Sequence, residues 1–106
     1  MILPQIETRQ GLANVQSIAE HEIVTAIAVG PYDLSAELGC CWQPADERLQ
    51  SALGQIRAAG RAAGKNMWMI GDGPALVQQG YTFVCVGEPS AILAQRLGQI
   101  VKECAP

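Results

Sequence analysis

Cationic residues are scarce in this 106-residue chain, where seven Lys and Arg stand against ten Asp and Glu for a formal net charge of -3. That balance argues against a nucleic-acid or anionic-membrane partner, because either demands a clustered basic face. Arg57, Arg61 and Lys65 recur every fourth residue, which reads as the solvated face of a helix. Charge of either sign is thin, at 16%, whereas 49% of residues are hydrophobic, more than an average domain carries. The excess implies surface that is to be covered, by burial on both faces of a sheet or by a partner. The four cysteines lack metal spacing: Cys40 and Cys41 are adjacent, Cys85 sits in an apolar run, Cys104 lies near the end, and no CxxC or Cys/His pattern joins them. They are expected as buried thiols in a reducing cytosol. Long hydrophobic runs are also missing, since "AIAV" and its neighbours fall far short of the ~20 residues of a membrane span. "MILPQ" at the start has neither the basic flank nor the apolar core of a signal peptide. The expectation is a cytoplasmic protein and a single domain over residues 1–106.

What the chain does contain is a repeating order. Four short apolar segments stand out, "LPQIE" (3–7), "AIAVG" (26–30), "NMWMIG" (66–71) and "TFVCVG" (82–87). None alternates cleanly, so they are expected as strands of a parallel sheet buried on both faces. Leu12, Val15, Ile18 and Ala19 mark one face of a helix over 9–20. Leu49, Ala52, Leu53, Ile56, Ala59 and Ala63 mark another over 44–63, with Pro44 suited to its first turn and Gly64 to its end. A shorter helix over 74–79 starts at Pro74 and stops before Gly80, and a last one is opened by "EPS" at 88–90 and runs to Cys104. No hairpin signal or low-complexity linker interrupts the pattern. Alternating βα units build a parallel sheet with helices outside it. A complete (β/α)8 barrel takes ~250 residues, so four units make a small open sheet or about half a barrel. Gly30, Gly71 and Gly87 end strands and suit loops on the C-terminal rim, where sites sit in both architectures.

Two acids fall on that rim. Glu7 ends the first strand segment and Asp33 follows the second. On adjacent parallel strands they are placed to hold one hard cation such as Mg²⁺ or Mn²⁺, the remaining positions going to water and substrate. Such a cation acts as a Lewis acid on a bound carbonyl. Gly30 and Pro31 turn the chain sharply, so the amides of Tyr32 and Asp33 can meet a substrate carboxylate. The other reading of Asp33, ahead of "LSAEL", is a helix N-cap.

The stretch "QIETRQGLANVQSIAEHEIVTAIAVGPYDLSAELG" resembles the second half of the HpcH/HpaI aldolase/citrate lyase family, the class II pyruvate aldolases. The resemblance rests on "IET" at 6–8, "GPYDLS" at 30–35 and "LG" at 38–39. The helix at 44–63, the strand at 66–71 and "FVCVGEPSAIL" at 83–93 agree in order and length. It implies four βα units like the C-terminal half of a TIM (β/α)8 barrel. It implies that Glu7 and Asp33 are metal ligands, and that Gly30, Pro31, Tyr32 and Asp33 bind pyruvate or a related 2-keto acid. The reaction it implies is reversible aldol cleavage through the enolate of the keto acid, with Mg²⁺ or Mn²⁺ as cofactor.

The family's pyruvate-contacting Arg and its acid/base His belong to a half of the barrel that residues 1–106 do not match. Arg9 occupies a position that is not the pyruvate-binding one. His21, in "EHE", suits a solvated helix end. Gly71 and Gly73 read as an anion-binding turn or as a tight loop. Two unpaired sheet edges and an uncovered apolar face invite association. The expected partner is a second copy in a homo-oligomer, with two-fold closure or swapped last helices, or a complementary half-barrel. Two functional classes follow: a metal-dependent lyase half, and a catalytically inactive relict that serves as a binding or assembly module. A small α/β domain with no site is the third.

Overall fold

The computed structural model describes residues 1–105. Strand β1 (Gln5–Ile6) leads through helices α1 (Arg9–Ala13) and α2 (Val15–Glu20) to β2 (Ala26–Val29). Helices α3 (Pro31–Glu37) and α4 (Glu47–Ala62) precede β3 (Asn66–Ile70), α5 (Gly73–Gln78) precedes β4 (Phe83–Cys85), and α6 (Pro89–Cys104) closes the chain. The four strands form one sheet in the order β1-β2-β3-β4, every pair parallel. This is the βαβ succession expected of a barrel segment, with each strand joining the next in turn.

Register divides the sheet into two unlike faces. Ile6, Ile27, Val29, Met67 and Met69 are buried in the core with Val15, Ala19, Leu49, Leu53 and Ile56 of α2 and α4. On the other face Gln5, Ala28, Trp68 and Phe83 lie side by side across all four strands. Gln5 and Phe83 are exposed, and Trp68, Ile70 and Cys85 are half-buried. Burial on both faces, expected of every strand, holds only for β2. Central β2 puts small alanines on the open face, where Gln5 and Trp68 flank them; β3 alternates because Trp68 and Ile70 stand taller.

Two helix boundaries differ from expectation. The helix over 9–20 is broken at Asn14, whose side-chain amide donates to the Gln10 carbonyl at 2.8 Å while its own carbonyl accepts from Ser17 and Ile18. Local side-chain bonds of this kind end one helix and start another. Helix α4 begins at Glu47, past Pro44, because Asp46 caps it by accepting from the Arg48 N–H at 2.9 Å. Asp46 also accepts from Arg48 Nε and Nη2 at 2.9 and 2.8 Å. Those bonds hold its carboxyl down at about 2 from an ordinary 3.8. At the other end α4 closes with Lys65 N–H on the Gly60 carbonyl and Gly64 N–H on that of Arg61, the paired bonds of a Schellman motif. Gly60 is also where α4 meets the sheet, since a Cβ there would stand 2.0 Å from Met67 Sδ.

Helix α6 stands apart. It is capped by Glu88, yet none of its residues is buried. Ile92, Leu93, Leu97, Ile100 and Val101 are all exposed. The radius of gyration is 16.1 Å, against about 13 Å for a compact 100-residue domain. Of the thiols only Cys40 is buried; Cys41 and Cys104 are exposed and Cys85 is half-buried, which corrects the expectation for the latter three. Among the described residues no helix is long and apolar enough to cross a membrane.

Candidate metal and keto-acid site

The Ile6–Val29 pairing sets the geometry of the rim, because it brings Glu7 alongside Gly30, one residue beyond each strand. Pairing continues through the Gly30 N–H, which donates to the Ile6 carbonyl at 3.1 Å. The Glu7 side chain then crosses over Gly30. A Cβ on Gly30 would stand 2.9 Å from Glu7 Cβ, 2.8 Å from Glu7 Oε2 and 2.7 Å from Gln5 Nε2. Only glycine leaves room for that crossing. Gln5, two residues before Glu7 and on the same strand face, donates from Nε2 to Glu7 Oε2 at 2.9 Å.

Asp33 arrives on α3. Gly30 takes the N-cap position and Pro31 the first helical one, so Asp33 sits inside the first turn. The N-cap reading of Asp33 is thereby overturned: Pro31 supplies a φ suited to position N1 and starts the helix two residues earlier. Asp33, Ala36 and Glu37 share a helix face by their spacing. That face meets the β1–α1 loop, and Glu7, Thr8, Asp33, Ala36 and Glu37 line one pocket of about 410 Å³. Neither ion pair among the described residues uses Glu7 or Asp33.

The remaining expected site residues behave differently. Gly30 and Pro31 are buried. Tyr32 turns its ring away from the pocket and stacks on Trp42, centroids 3.6 Å apart. What Tyr32 and Asp33 have in common is backbone. The first helical bond of α3 runs from Leu34 N–H to the Gly30 carbonyl, so their two N–H groups come before it and lack intrahelical acceptors. Buried Ser35 holds this turn, donating to the Tyr32 carbonyl at 2.6 Å and accepting from the Trp42 N–H at 2.9 Å.

Sequence reasoning missed Gln5 and Glu37. Gln5 had a signal in its two-residue offset from Glu7, and Glu37 in its four-residue offset from Asp33. Glu37 Oε2 also accepts from the Arg9 N–H at 3.4 Å, which ties α3 to the start of α1. His21 caps the end of α2, and its carbonyl accepts from Lys65 beside the start of β3, at the opposite end of the sheet. Gly71 and Gly73 form a tight loop: between them Asp72 caps α5 by accepting from the Ala75 N–H at 2.9 Å, which uses an amide that an anion would need.

The donor set suits a hard divalent cation. Among the described residues there is no cluster of three or more His, Cys, Asp or Glu side chains able to hold a metal. Glu7 and Asp33, two of the three carboxylates lining this open pocket, are nevertheless a fitting pair for an ion that keeps several water or substrate oxygens.

The family model described as HpcH/HpaI aldolase/citrate lyase matches residues 1–94. The chain belongs to that family. Relatives include the 4-hydroxy-2-oxo-heptane-1,7-dioate aldolase of Salmonella paratyphi B, 36% identical over 98 residues, which cover 89% of this chain and 37% of the relative. The crystal structure of an HpcH/HpaI family protein from Burkholderia cenocepacia J2315 superposes with a TM-score of 0.88 at 28% identity, over 95% of this chain and 41% of that one. The citrate synthase SbnG does so at 0.84 and 25% identity, over 97% and 44%. The chain therefore spans about two fifths of these HpcH/HpaI relatives. Its four parallel βα units are consistent with half of their barrel.

Proposed function

We propose that this chain is the metal- and keto-acid-binding half of an HpcH/HpaI-type lyase acting on pyruvate or a related 2-keto acid. The reading is carried by one observation: Glu7 and Asp33 line a single pocket at the ends of adjacent parallel strands. Glu7 and Asp33 would hold Mg²⁺ or Mn²⁺. When bound, the ion supplies Lewis-acid polarisation of the keto-acid carbonyl. Gln5 donates to Glu7 Oε2 and so orients that carboxylate, while the absence of a Cβ at Gly30 keeps its path open. The N–H groups of Tyr32 and Asp33 would hold the substrate carboxylate, with Ser35 fixing the turn that presents them.

Neither Arg nor His lines the pocket, so the Arg and His that the family resemblance implies for the aldol step would come from other segments. Assembly would supply them. The open sheet face presents Trp68, Ile70 and Phe83, and α6 presents a ridge of Ile92, Leu93, Leu97, Ile100 and Val101. Exposed apolar side chains grouped in this way support association, either with a second copy or with a complementary half-barrel.

The absence of any cation or imidazole from the pocket lining also supports the second reading, a relict that binds metal and keto acid without aldol chemistry. Solvent deuterium exchange at the methyl group of pyruvate separates the two. Exchange that needs Mn²⁺ or Mg²⁺ and is abolished by Glu7→Gln supports lyase chemistry. Mn²⁺ binding without exchange supports the relict, and no Glu7-dependent Mn²⁺ binding at all would end both.

A further inference from the structure

The cationic stripe of α4 has more structure than a solvated face. Arg57, Arg61 and Lys65 line one pocket of about 250 Å³ together with Gly64, Gly80 and Thr82. No acidic side chain lines it, and the two ion pairs among the described residues, Arg48–Asp46 and Arg96–Glu103, leave all three cations unused.

Their partners are neutral. Arg57 Nη1 donates to Gln79 Oε1 at 3.0 Å, and the guanidinium stands 5.8 Å from the centre of the Tyr81 ring. Lys65 Nζ donates to the backbone carbonyls of Val24 and His21 at 2.8 and 3.3 Å. Arg61 is exposed and reaches over Gly80, where a Cβ would lie 3.0 Å from its Nη2. Neutral acceptors fix the position of a cation without cancelling its charge. Three positive charges around one concavity, two of them held by neutral acceptors, focus a positive potential in a chain whose overall charge is negative. Arg61 stands in the last turn of α4 and Lys65 just beyond the helix end, so both cations lie near the negative end of the helix dipole.

We infer that this pocket is a binding site for a small anion bearing a phosphate group. A dianion matches three uncompensated cations better than a single carboxylate does, and the planar forks of paired arginines suit phosphate oxygens. Gly64 and Gly80 let a ligand approach the backbone closely. The pocket lies at the N-terminal ends of β3 and β4, while Glu7 and Asp33 lie beyond the C-terminal ends of β1 and β2. It is therefore separate from the carboxylate pocket and independent of the keto-acid reading.

Titration of the chain at low ionic strength tests this, with inorganic phosphate in one arm, glycerol 3-phosphate in a second and sodium chloride of matched ionic strength as control. Calorimetry and amide chemical shifts are the readouts. We expect one saturable site, shifts centred on Gly64, Gly80 and Thr82, and binding weakened at least about tenfold by Arg61→Gln, which removes one charged donor. Tighter binding of the ester points to a phosphorylated small molecule, and tighter binding of inorganic phosphate to the free ion. Shifts that merely follow ionic strength, or equal affinity in a folded Arg61→Gln variant, overturn the inference. Should Arg61→Gln fail to fold, the wild-type shift map still decides: saturable shifts centred elsewhere overturn it.

Discussion

Replacing Gly30 with alanine tests the rim geometry at its narrowest point. The added methyl would stand 2.9 Å from Glu7 Cβ, an atom fixed by the backbone of the neighbouring chain segment. Restoring ordinary contact at 3.4 Å requires the Gly30 turn and the Glu7 segment to part by about 0.5 Å, on top of displacing Glu7 Oε2 and Gln5 Nε2 at 2.8 and 2.7 Å. Overpacking of this kind costs about 1–3 kcal/mol of stability, which leaves the variant foldable. The carboxylate, however, loses both its path and its hydrogen bond from Gln5. Loss of support around a metal ligand typically costs about 10–100-fold in affinity. Mn²⁺ titration followed by electron paramagnetic resonance, beside thermal melts, separates the two effects. Gly30→Ala is expected to weaken Mn²⁺ binding about as much as Glu7→Gln does, with a melt that stays cooperative. A cooperatively folded Gly30→Ala protein with wild-type Mn²⁺ affinity would refute the claim that the bare Cα at position 30 positions Glu7.

Three further outcomes are expected. Gly60→Ala puts a methyl 2.0 Å from Met67 Sδ in the core and should lower stability by about 1–3 kcal/mol in chemical denaturation; the added substitution Met67→Ala should relieve that clash, giving a double mutant more stable than the summed single effects predict. Ser35→Ala removes the hydroxyl that joins Trp42 N–H to the Tyr32 carbonyl, and loss of these part-buried hydrogen bonds should cost about 0.5–1.5 kcal/mol; the loosened Tyr32–Trp42 stack should also change tryptophan emission. Asp46 titrates lower in the folded chain than in the unfolded one, so its contribution to stability is present above pH 3.8 and is lost as pH falls through about 2. Asp46→Asn should flatten that part of the curve of melting temperature against pH, and an unchanged acid limb would count against the Arg48 bond as its cause.

The order of the four strands and of the main helices was legible in the chain because apolar spacing and helix-stop glycines are local signals, whereas α3 (Pro31–Glu37) showed only in the N-cap alternative for Asp33. Glu7 and Asp33 were legible as rim acids for the same reason, since each follows a short apolar segment. Boundaries were read less well where a side chain competed with the backbone, as at Asn14, or capped a later residue than proline suggested, as at Asp46. Gln5 and Glu37 escaped notice because polar residues beside a site look like ordinary surface until the partner segment is in place.

Residue order alone thus determined a parallel βα series with two carboxylates on one rim and the motifs of the HpcH/HpaI family, all properties of neighbours in the chain. The tertiary structure decided which sheet face stays open, that Glu7 threads past Gly30, that no residue of α6 is buried, and that three spaced cations line one pocket. Those features depend on distances between segments far apart in the chain. Periodicity records which way a side chain points from its own element, and not what it meets there.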